Sequence, residues 1–181
     1  MKTKILRLEL IGALFIIFFG SLLHFTFDWF KNFWLAGIFS AVNESTWEHL
    51  KLAVIPATIW FLIEKKWIKF DIPNFTFAKI KGIFLMQVLI VVIFYSYTAL
   101  LGKNYLVLDI LTFVVAVVLG QLLSYWLMFY PPVRITQTYS VIAIIFLILL
   151  LLSFAVFTFY PPHCFLFRDP ISGSYGINLL K

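Results

Sequence analysis

Long apolar runs separated by short polar segments dominate the chain. Several of these runs exceed the length of about 18 residues that marks a membrane-spanning helix. We therefore predict an all-α, polytopic transmembrane helical bundle with five spans, forming a single integral membrane domain over residues 1–181. The predicted spans cover about residues 5–24, 46–63, 82–101, 105–128 and 139–160, and an ordered outer tail covers residues 161–181.

A shorter apolar segment, residues 33–42, lies between the first two predicted spans. It contains Phe33, Trp34 and Phe39, and it is too short to cross a bilayer. Aromatic side chains favour the boundary between lipid and water. We predict a short interfacial helix here; the alternative is a half-helix that enters the membrane and returns.

The second predicted span follows a polar segment, Asn43-Glu44-Ser45-Thr46-Trp47-Glu48-His49. Ser45 and Glu48 match the capping box, in which Ser45 accepts from the Glu48 amide and Glu48 reaches back to the Ser45 amide. In the fourth span, small and polar residues recur at helical spacing, and this stripe is predicted to face the bundle interior. The stripe comprises Asp109, Thr112, Ala116, Gly120 and Ser124.

Charge composition supports the membrane class and orients the chain. Charged residues make up 12% of the sequence, against about 25% in soluble domains. The net charge of +6 comes from basic residues between the spans, so membrane lipids are the expected partners and nucleic acid is not. Placing the N-terminus in the cytoplasm puts nine of the fourteen basic residues inside, as the positive-inside rule favours. The inner nine are Lys2, Lys4, Arg7, Lys65, Lys66, Lys69, Lys79, Lys81 and Arg134, and the outer five are Lys31, Lys51, Lys103, Arg168 and Lys181. The C-terminus then lies outside the cell membrane, and the composition leaves the oligomeric state open.

This orientation brings remote polar residues to one membrane face. All three histidines and five of the eight acidic residues fall at the outer side. They are His24, Asp28, Glu44, Glu48, His49, Asp109, His163 and Asp169. The other three acids, Glu9, Glu64 and Asp71, alternate with lysines on the inner side, as expected for solvated loops.

Imidazole and carboxylate groups at one face are suitable ligands for a divalent metal such as zinc. The predicted ligands are His24, Glu48, His49, His163 and Asp169. A further carboxylate, Glu44 or Asp28, is predicted to activate a metal-bound water. Simpler roles stand beside these: a helix cap for Glu48, a solvated tail for His163 and Asp169, and a proton relay in place of a metal.

Two stretches resemble a family of small bacterial multi-pass membrane proteins of unknown function. They are the segment from Asn43 to His49, and the tail with Pro161-Pro162-His163 and Asp169-Pro170-Ile171-Ser172-Gly173. A more distant likeness is to the ceramidase-like membrane hydrolases, which hold zinc among histidines and an aspartate at a bundle end. This chain differs from them in having five predicted spans instead of seven and no His-x-x-x-His pair.

Three hypotheses of function follow. The first is a metal-dependent hydrolase of a lipid or other amphiphile at the outer leaflet. The second is a small transporter or solute-binding membrane subunit, favoured if residues 33–42 re-enter the membrane and disfavoured if they lie flat. The third is a structural membrane protein without a small-molecule site, in which the three histidines point in unrelated directions.

Overall fold

The computed structural model describes residues 1–68, 72, 74–130 and 135–177. Over these residues the architecture is helical, which confirms the predicted class. The six α-helices are α1 (Lys2–Trp29), α2 (Trp34–Phe39), α3 (Thr46–Trp67), α4 (Phe75–Leu101), α5 (Leu106–Phe129) and α6 (Gln137–Phe159). In the described part of the tail, a 3₁₀ turn, Phe165–Phe167, follows.

Four helices, α1, α4, α5 and α6, are long and apolar enough to cross a membrane. They correspond to the first, third, fourth and fifth predicted spans. The second predicted span, α3, is not among the four, because Glu48, His49 and Lys51 near its start and Glu64, Lys65 and Lys66 near its end leave only a short apolar stretch between them. The membrane class is therefore supported, whereas the count of five spans is not confirmed.

Helix α3 lies at the centre of the fold. It packs against α1, α4 and α6, and half of its residues are buried, including Glu48, Lys51 and Glu64. Neighbouring helices therefore cover the polar side chains of α3. Polar groups at this depth are tolerated when they pair with other protein groups instead of facing lipid.

Small residues allow the helices to approach closely. A Cβ atom added at Gly82 of α4 would lie 2.5 Å from the carbonyl oxygen of Gly120 of α5. A Cβ atom added at Gly20 of α1 would lie 2.4 Å from the carbonyl oxygen of Leu52 of α3. Both contacts bring backbone against backbone, so a larger side chain at either glycine would separate the helices.

The polar stripe of α5 faces the bundle interior along most of its length, as predicted. Thr112, Ala116, Gly120 and Ser124 are buried. Asp109 is the exception: it accepts hydrogen bonds from the Tyr97 hydroxyl and the Asn104 amide at the end of the α4–α5 hairpin.

Several helices differ in extent from the sequence prediction: α1 and α3 end later, at Trp29 and Trp67, and the largest difference is at the start of α4. Helix α4 begins at Phe75 instead of near residue 82, so Lys79 lies within the helix and not in a loop. Helix α2 has six residues and is about 9 Å long, so it does not cross a bilayer. Three charged residues of the predicted inner loops, Lys69, Asp71 and Arg134, lie outside the described residues.

Candidate metal centre

Three side chains converge where α1 ends and α3 begins. His24 lies in α1, His49 lies in the first turn of α3, and Glu44 lies in the connection between α2 and α3. The two Nε2 atoms are 3.2 Å apart. Glu44 Oε2 is 3.4 Å from Nε2 of His49 and 3.8 Å from Nε2 of His24. We call this group the His/Glu cluster.

The spacing within the His/Glu cluster matches the ligands of one small ion. Zinc binds imidazole nitrogen and carboxylate oxygen at about 2.0–2.1 Å in tetrahedral geometry, which places neighbouring ligand atoms about 3.3 Å apart. Two of the three observed separations lie close to this value, and the third is somewhat longer. The three side chains could therefore bind one ion with small adjustments.

The N-terminal cap of α3 orients the ring of His49. Nδ1 of His49 lies 2.9 Å from the carbonyl oxygen of Ser45, so Nδ1 is the protonated nitrogen in the neutral ring. Nε2 then presents its lone pair to the cluster. Ser45 also caps the helix, because its hydroxyl accepts from the Glu48 amide at 3.4 Å.

The contact between Gly20 and Leu52 positions the two histidines. His24 follows Gly20 by one turn of α1, and His49 precedes Leu52 by nearly one turn of α3. Because the two backbones touch at this point, the side chains one turn away meet across the helix pair.

The His/Glu cluster is partly open to solvent. The side chains of His24, His49 and Glu44 are 33%, 29% and 43% exposed. In the protonated state of His49, Nε2–H donates to Glu44, and this hydrogen bond holds the pKa of Glu44 below its ordinary value. A metal ion would occupy the same space as that proton, so proton and metal compete.

Glu48 does not belong to the cluster, contrary to the predicted ligand set. Its Oε2 lies 2.6 Å from Nζ of Lys51 and accepts from the Val42 amide at 3.1 Å. Only half of the predicted capping box forms, because the Ser45 amide donates to Asn43 Oδ1 instead of Glu48. Glu48 is therefore held in an ion pair with Lys51 and receives further hydrogen bonds from the Val42 amide and, at 3.4 Å, the Thr158 hydroxyl.

The structure also does not bring His163, Asp169 or Asp28 into the cluster. The His163 ring stacks on Tyr175 at 4.4 Å between centroids. Asp169 accepts from the Ile171 amide and the Ser172 hydroxyl, which closes a turn in the tail. Asp28 is exposed one turn beyond His24. The structure therefore brings together His24, His49 and Glu44 from the predicted set.

Sequence reasoning missed the role of Lys51, which it counted among the outer basic residues. Lys51 is fully buried. It donates to Glu48, to the Thr158 hydroxyl and, at 2.9 Å, to the carbonyl oxygen of Gly37. These contacts connect α3 with α2 and α6. The sequence feature that could have indicated this role is a lysine three residues after a glutamate at the start of an apolar run.

The prediction that Glu9 and Glu64 are solvated is wrong. Both are 0% exposed, and Lys79 is 2% exposed. Nζ of Lys79 lies 2.8 Å from Glu9 Oε2 and 2.6 Å from Glu64 Oε2. The signal for Glu9 was its position inside an apolar run; Asp71, the third acid of that prediction, lies outside the described residues.

Comparison with known proteins places the chain in a family. A model of a family of unknown function (DUF6512) matches residues 2–177. The chain belongs to this family. No curated protein and no solved structure matches the chain. Nothing in these comparisons links this member of the family to the ceramidase-like hydrolases.

Proposed function

We propose that the protein is a membrane-embedded, metal-dependent hydrolase whose ion, zinc or a similar divalent metal, binds to His24, Glu44 and His49. The observation that carries this proposal is the spacing of their three ligand atoms, 3.2, 3.4 and 3.8 Å. Two histidines and one glutamate form the ligand set of several catalytic zinc sites, in which a water takes the fourth position. The partial exposure of the cluster leaves room for that water.

The chemistry follows from the metal-bound water. Zinc lowers the pKa of its water to about 7. Oε1 of Glu44 would accept a proton as a water adds to the carbonyl carbon of an ester or amide, and it would return that proton to the leaving group as the bond to that group breaks. Asp28, which is exposed and lies outside the cluster, is given no role in this step. One water is consumed for each bond cleaved.

The surroundings of the cluster favour an amphiphilic substrate. Phe25, Trp29 and Phe30 are exposed near the end of α1, and the Phe25 ring lies 5.0 Å from the ring of His24. Exposed aromatic side chains of this kind lie at the level of lipid headgroups. A bond at the junction between a headgroup and an acyl chain would therefore lie near the metal.

Charge distribution supports an outward-facing cluster. With the buried Lys51 and Lys79 left out of the count, eight basic residues remain on the predicted inner side and four on the outer side. The bias still favours a cytoplasmic N-terminus. The His/Glu cluster, at the opposite end of α1, would then face the outer leaflet, and the short α2 beside it would lie along the interface.

A second candidate function, transport of an ion or small solute, is favoured by a separate observation. Glu9, Glu64 and Lys79 form a buried charged group, and Glu48 and Lys51 form another. Ionisable groups within a membrane bundle often mark a pathway for ions or protons. This candidate predicts uptake by proteoliposomes and no turnover of ester substrates.

Metal binding by the purified full-length protein tests the proposal first. We expect about one zinc per chain by elemental analysis after dialysis against zinc, and loss of most of it in His24→Ala, His49→Ala and Glu44→Gln. His163→Ala is the matched control, because its ring stacks on Tyr175 away from the cluster. Equal zinc content in His49→Ala and His163→Ala would overturn the assignment.

Turnover tests the hydrolase step. Vesicles containing diacyl phospholipid, monoacylglycerol or ceramide supply ester and amide bonds at an interface, and released fatty acid is measured. We expect cleavage of one class that is abolished by chelator, restored by zinc and absent in His49→Ala. Metal binding without turnover of any class, together with zinc uptake by proteoliposomes, would favour the transporter instead.

A further inference from the structure

A second polar cluster lies at the other end of α3, away from the proposed metal centre. It contains Glu9 of α1, Glu64 of α3 and Lys79 of α4. From α5, Gln121 and Ser124 contact the same groups: Lys79 donates to Gln121 Oε1, and the Ser124 hydroxyl lies 3.5 Å from Glu9 Oε1. We call this group the Glu/Lys cluster.

The charges of the Glu/Lys cluster do not balance when every group is ionised. Two carboxylates share one ammonium group, so one negative charge is left over. Among the described residues, Lys79 and Glu64 are the charged groups that act on Glu9. An uncompensated charge without contact to water is costly, and carboxylates that share a site resolve it by retaining a proton.

The hydrogen bonding of Glu64 gives a second, independent indication that the two carboxylates share a proton. Its Oε2 lies 2.6 Å from Nζ of Lys79 as an ion pair, and both of its buried carboxylate oxygens lack a hydrogen bond within the described part of the chain. The indole Nε1 of Trp60, one turn earlier on α3, is likewise buried without a partner there. A buried carboxylate that lacks hydrogen-bond donors is costly to keep charged, so this geometry favours a proton shared by the two carboxylates of the cluster.

The position of Glu64 allows exchange with water at one membrane face. Lys65 and Lys66 follow it directly and are exposed, so the cluster lies about one turn from the aqueous end of α3. Glu64 and His49 are separated by fifteen residues of one helix, which corresponds to about 22 Å. The Glu/Lys cluster is therefore separate from the His/Glu cluster.

We propose that Glu9 and Glu64 form a proton-binding site that holds one exchangeable proton at neutral pH, while Lys79 balances the remaining charge. The proton lies between two helices, α1 and α3, that also carry the proposed metal ligands at their other ends. Release of this proton would leave a second buried negative charge between α1, α3 and α4. Protonation therefore favours the packed arrangement of these three helices.

Infrared spectroscopy of the full-length protein in lipid nanodiscs tests the proposal. A protonated carboxyl has a carbonyl stretch that is separate from the carboxylate bands, and this stretch shifts in D₂O. We expect wild-type protein to show one such group per chain at pH 7. Glu9→Gln and Glu64→Gln should each remove it, because a single remaining carboxylate would be balanced by Lys79 and would stay ionised.

Glu44→Gln is the control for these two variants. Glu44→Gln changes an exposed carboxylate and should leave the band unchanged. If one glutamine variant does not fold, the other tests the same proton. A missing band in wild-type protein, a band that persists in both variants, or a sodium-dependent rise in Tm without the band would each overturn the proposal. The last result would assign the compensating charge to a bound sodium ion.

Discussion

Helix α3 carries two buried ion networks that differ in charge balance. Near its start, Lys51 pairs with one carboxylate, Glu48, and also donates to Thr158. Near its end, Glu64 shares Lys79 with Glu9. The networks are about 24 Å apart along the helix. Both networks are buried, so burial does not distinguish them. The ratio of carboxylates to lysines does: one to one gives a balanced ion pair, and two to one leaves a charge that the proposed proton would neutralise.

Removing a lysine should have the largest effect. Lys79→Met leaves the Glu9 and Glu64 carboxylates without a cation, and Lys51→Met leaves Glu48 without one. Breaking a buried ion pair typically costs about 3–5 kcal/mol, and we expect a loss of this size in both variants at pH 7, because the proposed proton leaves one negative charge on the pair of Glu9 and Glu64. Thermal unfolding in nanodiscs, followed by circular dichroism, measures both losses. A much lower melting temperature for Lys79→Met than for Lys51→Met would mean that both carboxylates of the Glu/Lys cluster are charged, which contradicts the bound proton.

Removing a carboxylate should have opposite consequences in the two networks. Glu48→Gln leaves Lys51 buried without an anion, and we expect a loss of about 3 kcal/mol. Glu64→Gln leaves a balanced pair of Glu9 and Lys79, so the free energy of unfolding should change by less than about 1 kcal/mol. Denaturation of both variants in the same detergent provides the measurement. A loss as large in Glu64→Gln as in Glu48→Gln would contradict the charge count.

A smaller difference is expected from the hydroxyl groups of the two networks. Thr158→Val removes an acceptor from Lys51 and should cost about 1 kcal/mol. Ser124→Ala removes a weak contact of 3.5 Å with Glu9 and should cost less. The unfolding midpoints of the two variants test whether Thr158→Val loses more stability than Ser124→Ala. A larger loss for Ser124→Ala would show that the Glu/Lys cluster depends on that hydroxyl more than its distance indicates.

The exposed His/Glu cluster should respond to pH with the smallest effect on stability. The pKa of Glu44 is lowered in the folded protein, so its contribution is present above its ordinary pKa and is lost as pH falls through the folded-state value. Because the side chain is 43% exposed, the contribution should stay below about 1 kcal/mol. Without metal, wild type and Glu44→Gln should differ most near about pH 5, where histidines are charged, and converge below it.

Apolar runs predicted the helical class, since hydropathy reports directly on the cost of moving a segment out of water. The same property explains the discrepancy at α3. Neighbouring helices cover its polar face, and a linear hydropathy pattern does not record which helices those are. Glu64 and Lys79 illustrate the limit, because their pairing depends on the lateral arrangement of α3 and α4.

The candidate site was predictable in part for a related reason. His24 and His49 lie at helix ends that face the same side once the chain crosses the membrane, so topology alone brings them near each other. The sequence prediction places Glu48 at the metal because the spacing of Glu48 and Lys51, although it allows an ion pair, does not indicate whether Lys51 turns into the bundle or towards solvent. The tail residues His163 and Asp169 contact nearby residues of the tail, Tyr175 and Ser172, instead of the cluster.

The contact of Gly20 with Leu52 would make the affinity of the proposed metal site adjustable from a distance. Gly20 touches no ligand atom, yet the thickness of the side chain at this position determines how far α1 stands from α3. Each added methyl group would widen the gap between the two imidazoles and weaken coordination without altering any donor. A series of variants with glycine, alanine and valine at this position would therefore show how the affinity of the proposed site depends on the distance between α1 and α3.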